Sequence, residues 1–373
     1  MTPFCDTDRD TLLAALQPVV GIVERRHTLP VLAHVRLRQR GGQVELASSD
    51  LERHVTVTAD LGTGPGEAAT TVPAHKLHDI LRALPAGQRL TLSAERDRLT
   101  LRSGGSRFAL HTLPAADFPA APEAPAGAIS LSLPRSALLA LIDRVAFAMA
   151  VQDIRYFFNG LLFSLAPGRL TLVGTDGNRL AVAHAEVAHD GPALAVIVPR
   201  KTVTELQRLL RSRDDEAVQL QLAVGQVRCR MGALELVSTV IEGQFPDHRR
   251  VLPQHPPGQA LAVTVDRAAW LAGVQRAVIL ASEKFRGLKL SFYPGGLRMV
   301  AANAELEEAV EELPAEHAGI ELEIGLNAAY LIDLLASSEA PQVHLVLRDA
   351  QSPLLFTLPA QPDFAYVVGP MRI

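Results

Sequence analysis

The sequence contains one structural pattern three times. A helical segment followed by two alternating strand segments recurs, and the turn between the strands carries Asp50, Asp176 and Asn303, which are 126 and 127 residues apart. Repeats at a fixed spacing mean that one supersecondary unit is used again. The chain is therefore predicted to fold as three copies of one domain.

Two further markers support the repeat. A short strand leads into a helix near Pro73, Pro199 and Gly325, which are each 126 residues apart. The third marker is a phenylalanine after a closing strand and a bend, at Phe118, Phe245 and Phe364. Three markers that recur in the same order indicate duplication of a whole domain rather than a chance similarity of single elements.

Proline-rich segments at 118–127 and 252–258 lie between the copies. Such segments are typical of semi-rigid linkers between domains. We therefore expect three domains, at residues 1–125, 126–253 and 254–373.

The residue patterns within a copy favour an α+β fold. Leu77, Ile80 and Leu84 recur at the spacing of one helical face, whereas Val44 and Leu46 alternate as in a half-buried strand. Each domain is predicted to place two helices on one face of antiparallel sheet.

The composition excludes several classes of protein. The 373 residues have a net charge of -4, a pI near 6.3 and two cysteines, which argues against a polycationic nucleic-acid binder and a disulfide scaffold. No apolar run reaches the roughly 18 residues that a membrane-spanning helix needs, and the N-terminus lacks the pattern of a signal peptide. A cytoplasmic protein without a membrane segment is expected.

The charge is unevenly distributed. Residues 254–373 carry 8 basic and 14 acidic side chains, whereas the six predicted helices together carry 13 basic and 8 acidic ones. A positive excess on helices suits a phosphate backbone. An ordinary solvated helix surface explains so small an excess at least as well, and the charge alone leaves both interpretations open.

Sequence motifs for catalysis or metal binding are absent. The chain has no phosphate-binding loop, zinc-protease signature or nucleophile elbow, and its 12 histidines lack metal-ligand spacing. No catalytic residue, metal or cofactor is expected. Asp50 and Asp176 could form a general acid/base pair, but Asn303 in the third copy favours a structural role in a turn.

Four segments are distinctive, namely RYFFNG at 155–160, TDGNRLAV at 175–182, FPDHRRVLP at 245–253 and YVVGPMRI at 366–373. Together they resemble the bacterial DNA sliding clamp, the beta subunit of DNA polymerase III. The resemblance runs in order from about residue 12 to the C-terminus.

This resemblance implies three clamp domains per chain and two chains closing head to tail into a dimeric ring. The expected function is that of a processivity factor without catalytic activity, which encircles duplex DNA regardless of sequence and keeps a polymerase at high local concentration. The implied partners are double-stranded DNA, the DNA polymerase III alpha subunit, the delta subunit of the clamp loader, and clamp-motif proteins such as repair polymerases, ligase and mismatch-repair proteins. The implied location is the cytoplasm, at the nucleoid.

The family's hydrophobic cleft accepts short peptide motifs of such partners. By resemblance, the cleft residues in this chain are Phe158, Thr175, Gly177, Asn178, Arg179, Leu180, Pro246, Arg250, Val251, Val367, Gly369, Pro370, Met371 and Arg372. Burial in an ordinary domain core is the alternative role for the apolar members.

Some residues depart from the family pattern. Gly369 replaces a large methionine, Phe158 an aliphatic residue, Asn178 a histidine and His248 a tyrosine, so the cleft is expected to persist with a changed shape. His75 replaces an arginine of the inner surface, which is expected to weaken DNA contact or make it more dependent on pH.

The resemblance also implies residues for two other surfaces. The predicted DNA-binding residues are Arg26, His75, Gln152, Tyr156, Phe157 and Lys201. The predicted dimer interface consists of Arg96, Arg98, Arg102, Arg107, Phe108, Leu110, Ile279, Leu280, Glu305, Glu307, Glu308 and Glu311. The basic and acidic members of the interface set would attract each other across two protomers.

Two alternatives remain at the level of sequence. A clamp paralogue that serves a plasmid, phage or repair system fits the departures as well as a main chromosomal clamp does. An enzyme with an unusual site is the other alternative, which nuclease and polymerase assays would detect.

Overall fold

A computed structural model describes residues 4–25, 27–62, 66–212, 214, 217–253, 260–282, 286–317 and 321–372. The chain forms two compact units, and each combines parts of more than one sequence repeat. The first unit contains residues 1–136 and 204–240, and the second contains residues 137–203 and 241–373. The three domain boundaries expected from the sequence therefore stay a prediction.

Each repeat contributes two α-helices, as predicted. The helices are α1 (Arg9–Val20), α2 (Ala74–Ala83), α3 (Arg135–Ala146), α4 (Arg200–Arg211), α5 (Arg267–Ala277) and α6 (Ala328–Ala336). Helix α2 buries Leu77 and Leu81 on the face that its apolar spacing defines. Asp8 caps α1 by accepting a hydrogen bond from the Thr11 amide, at 2.8 Å.

The strands of the first repeat are β1 (Cys5–Asp8), β2 (His34–Arg40), β3 (Gln43–Ser49), β4 (Arg53–Ala59), β5 (Ala68–Pro73), β6 (Arg89–Glu95), β7 (Arg98–Ser103) and β8 (Ser106–His111). Those of the second are β9 (Ile129–Pro134), β10 (Gly160–Ala166), β11 (Arg169–Thr175), β12 (Arg179–Glu186), β13 (Leu194–Pro199), β14 (Ala217–Ala223), β15 (Gln226–Met231) and β16 (Leu234–Thr239). Those of the third are β17 (Leu261–Asp266), β18 (Gly287–Tyr293), β19 (Gly296–Ala302), β20 (Glu308–Pro314), β21 (Glu316–His317), β22 (Leu322–Asn327), β23 (Gln342–Leu347), β24 (Leu354–Leu358) and β25 (Gln361–Val368).

The sheets join strands of different repeats. In the first unit, an eight-stranded sheet has the order β5-β2-β3-β4-β16-β15-β14-β9, and a four-stranded sheet has the order β1-β6-β7-β8. In the second unit, a nine-stranded sheet has the order β13-β10-β11-β12-β25-β24-β23-β17-β21, and a four-stranded sheet has the order β20-β19-β18-β22. The pairings β4–β16 and β12–β25 therefore connect one repeat to the next, and all the pairings are antiparallel.

The turn that marks the repeat has the same structure in all three copies. One side-chain oxygen of Asp50 accepts from the amides of Glu52 and Arg53, and Asp176 accepts from those of Asn178 and Arg179. The third copy is similar, because Asn303 accepts from the amides of Glu305 and Glu307. The structural role predicted for these residues is confirmed.

Two markers from the sequence need correction. Helix α6 follows Asn327, so Gly325 lies inside β22 rather than at the junction of strand and helix. The turn between β19 and β20 is one residue longer than the corresponding β3–β4 and β11–β12 turns. The start of α6 is therefore more than 126 positions from the start of α4. Phe364 lies inside the final strand β25, whereas Phe118 and Phe245 follow the last strand of their repeats. The prolines before Phe364 belong to the β24–β25 hairpin.

The cores are made of aliphatic side chains from the sheets and helices, and the largest fully buried side chains include Trp270, Tyr366 and Phe163. Within the described part of the chain, no helix has the length and apolar character needed to cross a membrane.

Candidate functional site

Five predicted cleft residues lie around the turn between β11 and β12, namely Thr175, Gly177, Asn178, Arg179 and Leu180. The Thr175 hydroxyl donates to the Arg179 carbonyl at 2.6 Å and accepts from the Gly177 amide at 3.1 Å. Gly177 has a φ of +90°, and a side chain there would meet the Arg155 guanidinium at 2.7 Å. The backbone conformation therefore favours glycine, whereas the exposed Arg155 side chain could move aside for a larger residue.

Arg179 connects this turn to the third repeat. Its guanidinium donates to Asp176 at 3.0 Å, to Asp333 of α6 at 2.5 Å and to the Phe147 carbonyl at 2.8 Å. It also lies 4.5 Å from the centre of the Tyr330 ring. Burial disfavours the charged form, but the charges and hydrogen bonds of the surrounding acidic and phenolic groups raise the pKa of Arg179. Arg179 is therefore a fixed cation at the base of the site.

The C-terminal segment runs beside the same turn. Leu180 pairs with Val367 in the β12–β25 ladder, and the Gly369 amide donates to the Asn178 carbonyl at 2.8 Å. A side chain at position 369 would begin 3.2 Å from that carbonyl oxygen. The structure therefore brings together two sets of predicted cleft residues that are almost 200 residues apart in sequence.

An apolar cluster lies under this region. Leu180 and Val367 are both buried in it, together with Val173 and Ile197, and the half-buried Phe245 and Leu252 pack against it. Leu180 and Val367 are therefore core residues, whether or not they also contact a ligand.

Phe158 is buried within a short series of aromatic rings. Its ring makes an edge contact with Phe157 at 4.7 Å and with Phe245 at 5.9 Å between ring centres. The Arg155 guanidinium lies 4.6 Å from the Phe158 ring centre on one side. Arg155 is held by Asp153, whose pKa is lowered to about 2 by the Arg155 hydrogen bonds.

Four of the six remaining cleft candidates line two separate pockets of the second unit. Arg250 and Val251 line a groove of about 460 Å³ together with Arg348. Met371 and Arg372 line a pocket of about 390 Å³ against β18 and β19. The two pockets share no lining residue. Pro246 is exposed and Pro370 is half-buried.

Sequence reasoning missed Arg155 and Tyr330 at this site. Arg155 stands in the distinctive segment 155–160 and could have been included on that ground. Tyr330 had no local signal, because its partner Arg179 lies about 150 residues away in sequence.

The predicted DNA-binding residues of the second unit lie on one loop and one helix start. Gln152 has a φ of +56° and is exposed, Tyr156 is 56% exposed, and Phe157 is half-buried beside it. Lys201 is exposed in the first turn of α4. In the first unit, a ring nitrogen of His75 lies 2.9 Å from the Val23 carbonyl oxygen. Arg26 lies outside the described residues.

The basic members of the predicted interface lie on the β6–β7–β8 meander. Arg98, Arg102 and Arg107 are exposed on the strands, and Arg96 occupies the turn with a φ of +46°. Arg102 lies directly opposite Arg107. Two like charges in this position destabilise a sheet unless anions lie nearby.

The remaining interface candidates lie in the same sheet or in the second unit. Leu110 is buried and Phe108 is half-buried in β8, whereas Ile279 is 77% exposed and Leu280 is half-buried. Glu305, Glu307 and Glu308 are exposed. Glu311 accepts two hydrogen bonds from Arg276, which lower the pKa of Glu311.

No group of three or more histidine, cysteine, aspartate or glutamate side chains suited to a metal ion occurs among the residues that the structure describes.

Comparisons with known proteins define the class. Three family models, described as the N-terminal, central and C-terminal domains of the DNA polymerase III beta subunit, match residues 4–122, 132–247 and 249–372. A beta sliding clamp from Pseudomonas aeruginosa is 42% identical over 368 residues, covering 98% of each chain. That of Escherichia coli K12 is 39% identical over 366 residues, covering 98% of this chain and 99% of the relative. A crystal structure of a sliding clamp from P. aeruginosa bound to griselimycin has a TM-score of 0.94 at 40% identity, covering 99% of each chain.

These matches, together with the repeated antiparallel architecture, define a DNA-clamp protein. The chain belongs to the family of bacterial beta sliding clamps, the beta subunit of DNA polymerase III. It is a processivity factor of a DNA polymerase and has no catalytic function of its own.

Proposed function

We propose that two copies of this chain close head to tail through the free edges of their four-stranded sheets. Within the chain, the sheet β2–β5 of the first repeat joins the second repeat through β4–β16, and the sheet β10–β13 joins the third repeat through β12–β25. The strand of the third repeat that corresponds to β4 and β12 is β20, and the strand of the first repeat that corresponds to β16 and β25 is β8. Both strands are edges of their sheets. Pairing of β20 with β8 of a second copy would form a third junction of the same kind as β4–β16 and β12–β25. This repeated strand order is the observation that carries the proposal.

The β4–β16 junction also predicts the register of this contact, because β16 and β8 each follow a regular two-residue hairpin. The β12–β25 junction is not an equivalent template, since the β24–β25 hairpin contains a register shift. At the β4–β16 junction, Val55 lies opposite Leu236. Ala309 in β20 corresponds to Val55 in β4, since each lies one residue beyond the pair of residues that closes its hairpin. Phe108 in β8 corresponds to Leu236 in β16, since each is the third residue after a two-residue turn. We therefore place Ala309 opposite Phe108 of the second copy.

This register brings opposite charges together. Val310 then lies opposite Arg107, and Glu308 and Glu312 are the diagonal neighbours of Arg107 on the same face. The acidic strand relieves the unfavourable contact of Arg107 with Arg102 in its own sheet. The exposed Ile279 is available for apolar contact beside it.

We assign peptide binding to the region around the β11–β12 turn and the C-terminal segment. The apolar cluster below the turn, the fixed Arg179 cation and the adjacent groove offer an apolar surface with a few orienting charges, which suits a short linear peptide. The proposed partners are the polymerase III alpha subunit, the delta subunit of the clamp loader and other proteins with clamp-binding motifs.

We assign duplex contact to the loop with Gln152 and Tyr156, to Lys201, and to Arg26 and His75. These polar and cationic side chains suit a phosphate backbone read without sequence preference. Contact with cellular DNA implies a location at the nucleoid.

Deletion of residues 370–373 tests the peptide assignment. A peptide with a glutamine followed by a C-terminal Leu-Phe pair should bind the intact chain with a Kd near 1 μM, or about -8 kcal/mol. The Met371 amide donates to the Gly325 carbonyl at 2.9 Å and so anchors the C-terminal segment. The deletion should abolish peptide binding because it removes this segment and its anchor. Light scattering should still report a dimer. Unchanged peptide affinity in the truncated protein would show that the cleft is wrongly placed.

A further inference from the structure

The groove of about 460 Å³ contains two arginines that the cleft assignment does not use, Arg249 and Arg348. Its rim carries Arg249, Arg250 and Arg348, and its apolar lining includes Val251, Leu252 and Pro353. We call it the arginine groove. Arg348 comes from the turn between β23 and β24, whereas the other two arginines come from the segment that follows β16.

Arg348 is held in place on the rim. Its guanidinium donates to Asp349 at 3.0 Å and to the Ser352 hydroxyl at 3.0 Å. Asp349 in turn accepts from the amides of Gln351 and Ser352, at 2.9 and 2.7 Å. The hydrogen bonds from the Gln351 amide, the Ser352 hydroxyl and Arg348 hold the pKa of Asp349 well below its usual range. The turn therefore presents a pre-positioned guanidinium on a side chain that is 60% exposed.

The groove has an excess of positive charge. The side chains of Arg249 and Arg250 are 79% and 85% exposed, and both share the single carboxylate of Asp247. Three guanidinium groups thus face two carboxylates, those of Asp247 and Asp349. This excess stands out because residues 254–373, which contain Arg348, carry 8 basic and 14 acidic side chains.

The lining distinguishes between two anionic occupants. Single-stranded nucleic acid is usually held by aromatic rings on which bases stack. The lining of the groove contains valine, leucine, proline, serine and arginine but no aromatic residue among the described ones. Aliphatic and proline surfaces suit apolar side chains, and guanidinium forks suit carboxylates. The groove therefore favours an acidic peptide over a nucleic acid.

We propose that the arginine groove extends the peptide site, and that Arg348 selects linear partner segments with Asp or Glu beside their apolar anchor. This inference rests on the proposed peptide-binding function, because Arg250 and Val251 belong to both surfaces. Arg348 acts on partner choice, since a carboxylate on the partner reaches a guanidinium that is already oriented.

The test compares two fluorescent peptides in four proteins. Both peptides contain the same central segment, which has a glutamine and a Leu-Phe pair. In one peptide this segment has two aspartates on each side, and in the other it has two asparagines on each side. The proteins are the full-length clamp, Arg348→Glu, Arg348→Gln and the control Arg169→Glu. Arg169 is the exposed first residue of β11 in the same unit and lies outside the lining of the groove.

The intact clamp should bind the aspartate peptide about tenfold more tightly than the asparagine peptide at low salt, and the difference should shrink as salt rises. Arg348→Gln should remove most of this preference and Arg348→Glu should reverse it, with the affinity for the asparagine peptide changed less than twofold. Arg169→Glu should retain the preference, which separates a local contact from a change in net charge.

Two outcomes would overturn the inference. An unchanged aspartate preference in Arg348→Glu, with the asparagine peptide still bound, would reject the role of Arg348 and leave the proposed peptide site intact. Loss of binding to a 20-residue oligothymidine in Arg348→Glu, without loss of the aspartate preference, would assign the groove to nucleic acid instead. Absence of binding of both peptides to the intact clamp would reject the proposed peptide site itself.

Discussion

At the scale of single residues, Gly369 and Arg179 control the shape of the candidate cleft. Arg179 fixes the β11–β12 turn through Asp176, and it contacts α6 through Asp333. Gly369 adds only backbone beside Asn178. The site therefore combines a rigid polar base with a C-terminal segment that presents no side chain at position 369.

Gly369→Met should slow peptide association more than it changes stability. The new side chain would begin 3.2 Å from the Asn178 carbonyl oxygen, so a shift of a few tenths of an ångström accommodates it. The methionine would then have to move before a peptide enters. Stopped-flow fluorescence should show an association rate several-fold lower, with a melting temperature within about 2 °C of the parent. An unchanged association rate would mean that position 369 does not border the peptide path.

Part of the local structure at this candidate site was predictable from the sequence, and the rest was not for physical reasons. The turn containing Asp176 was predictable because an Asx turn depends on residues next to each other in sequence. The contact of Tyr330 with Arg179 was not predictable, since it depends on how the third repeat packs beside β12. Likewise, Val251 and Met371 were expected in one pocket, but they line different pockets.

At the scale of elements, the junction strand β4 carries a buried histidine. His54 is 3% exposed, and neither of its ring nitrogens has a hydrogen-bond partner among the described residues. Its ring makes an edge contact with Phe118. Burial, followed by the charge of Arg36, lowers the pKa of His54 to about 4 from an ordinary value of 6.5.

His54→Phe should make stability less dependent on pH. Because the folded pKa of His54 lies below the unfolded one, the unfolded state binds more protons, and stability present above pH 6.5 is lost as pH falls towards 4. Between pH 7.5 and pH 5 this loss amounts to about 2 kcal/mol. Urea denaturation at both pH values should show a smaller loss in the variant by about that amount. An equal loss in both proteins would contradict the neutral, buried state of His54.

A disulfide between engineered cysteines tests the proposed β8–β20 register. Ala109 and Glu308 are exposed, and the register places them directly opposite each other across two copies. Ala109→Cys with Glu308→Cys should give covalent dimers after mild oxidation, visible on a non-reducing gel. The native Cys5 and Cys229 should not interfere, because burial raises the pKa of each thiol to about 12.

The matched control for this experiment is Ala109→Cys with Ala309→Cys. A shift of one residue turns the second thiol to the other face of the sheet, so this pair should cross-link poorly. Equal cross-linking of both pairs, or of neither, would reject the register.

At the scale of the whole molecule, the repeat explains both the fold and the function. The three repeats were visible in the sequence because each turn and each strand before a helix recurs at nearly constant spacing. The joining of sheets across repeats was not visible, because it depends on pairing between strands more than 100 residues apart. That joining leaves one acidic and one basic edge, which two copies can satisfy by closing a ring.

The most direct test of a closed ring is its lifetime on circular DNA. The clamp is loaded by its clamp loader onto a nicked circular duplex, separated from free protein by gel filtration, and followed with time before and after a restriction enzyme linearises the DNA. Because the hold is topological, the clamp should remain on the circle for many minutes and leave the linear duplex rapidly from its ends. Equal lifetimes on the circular and the linear duplex would contradict the ring.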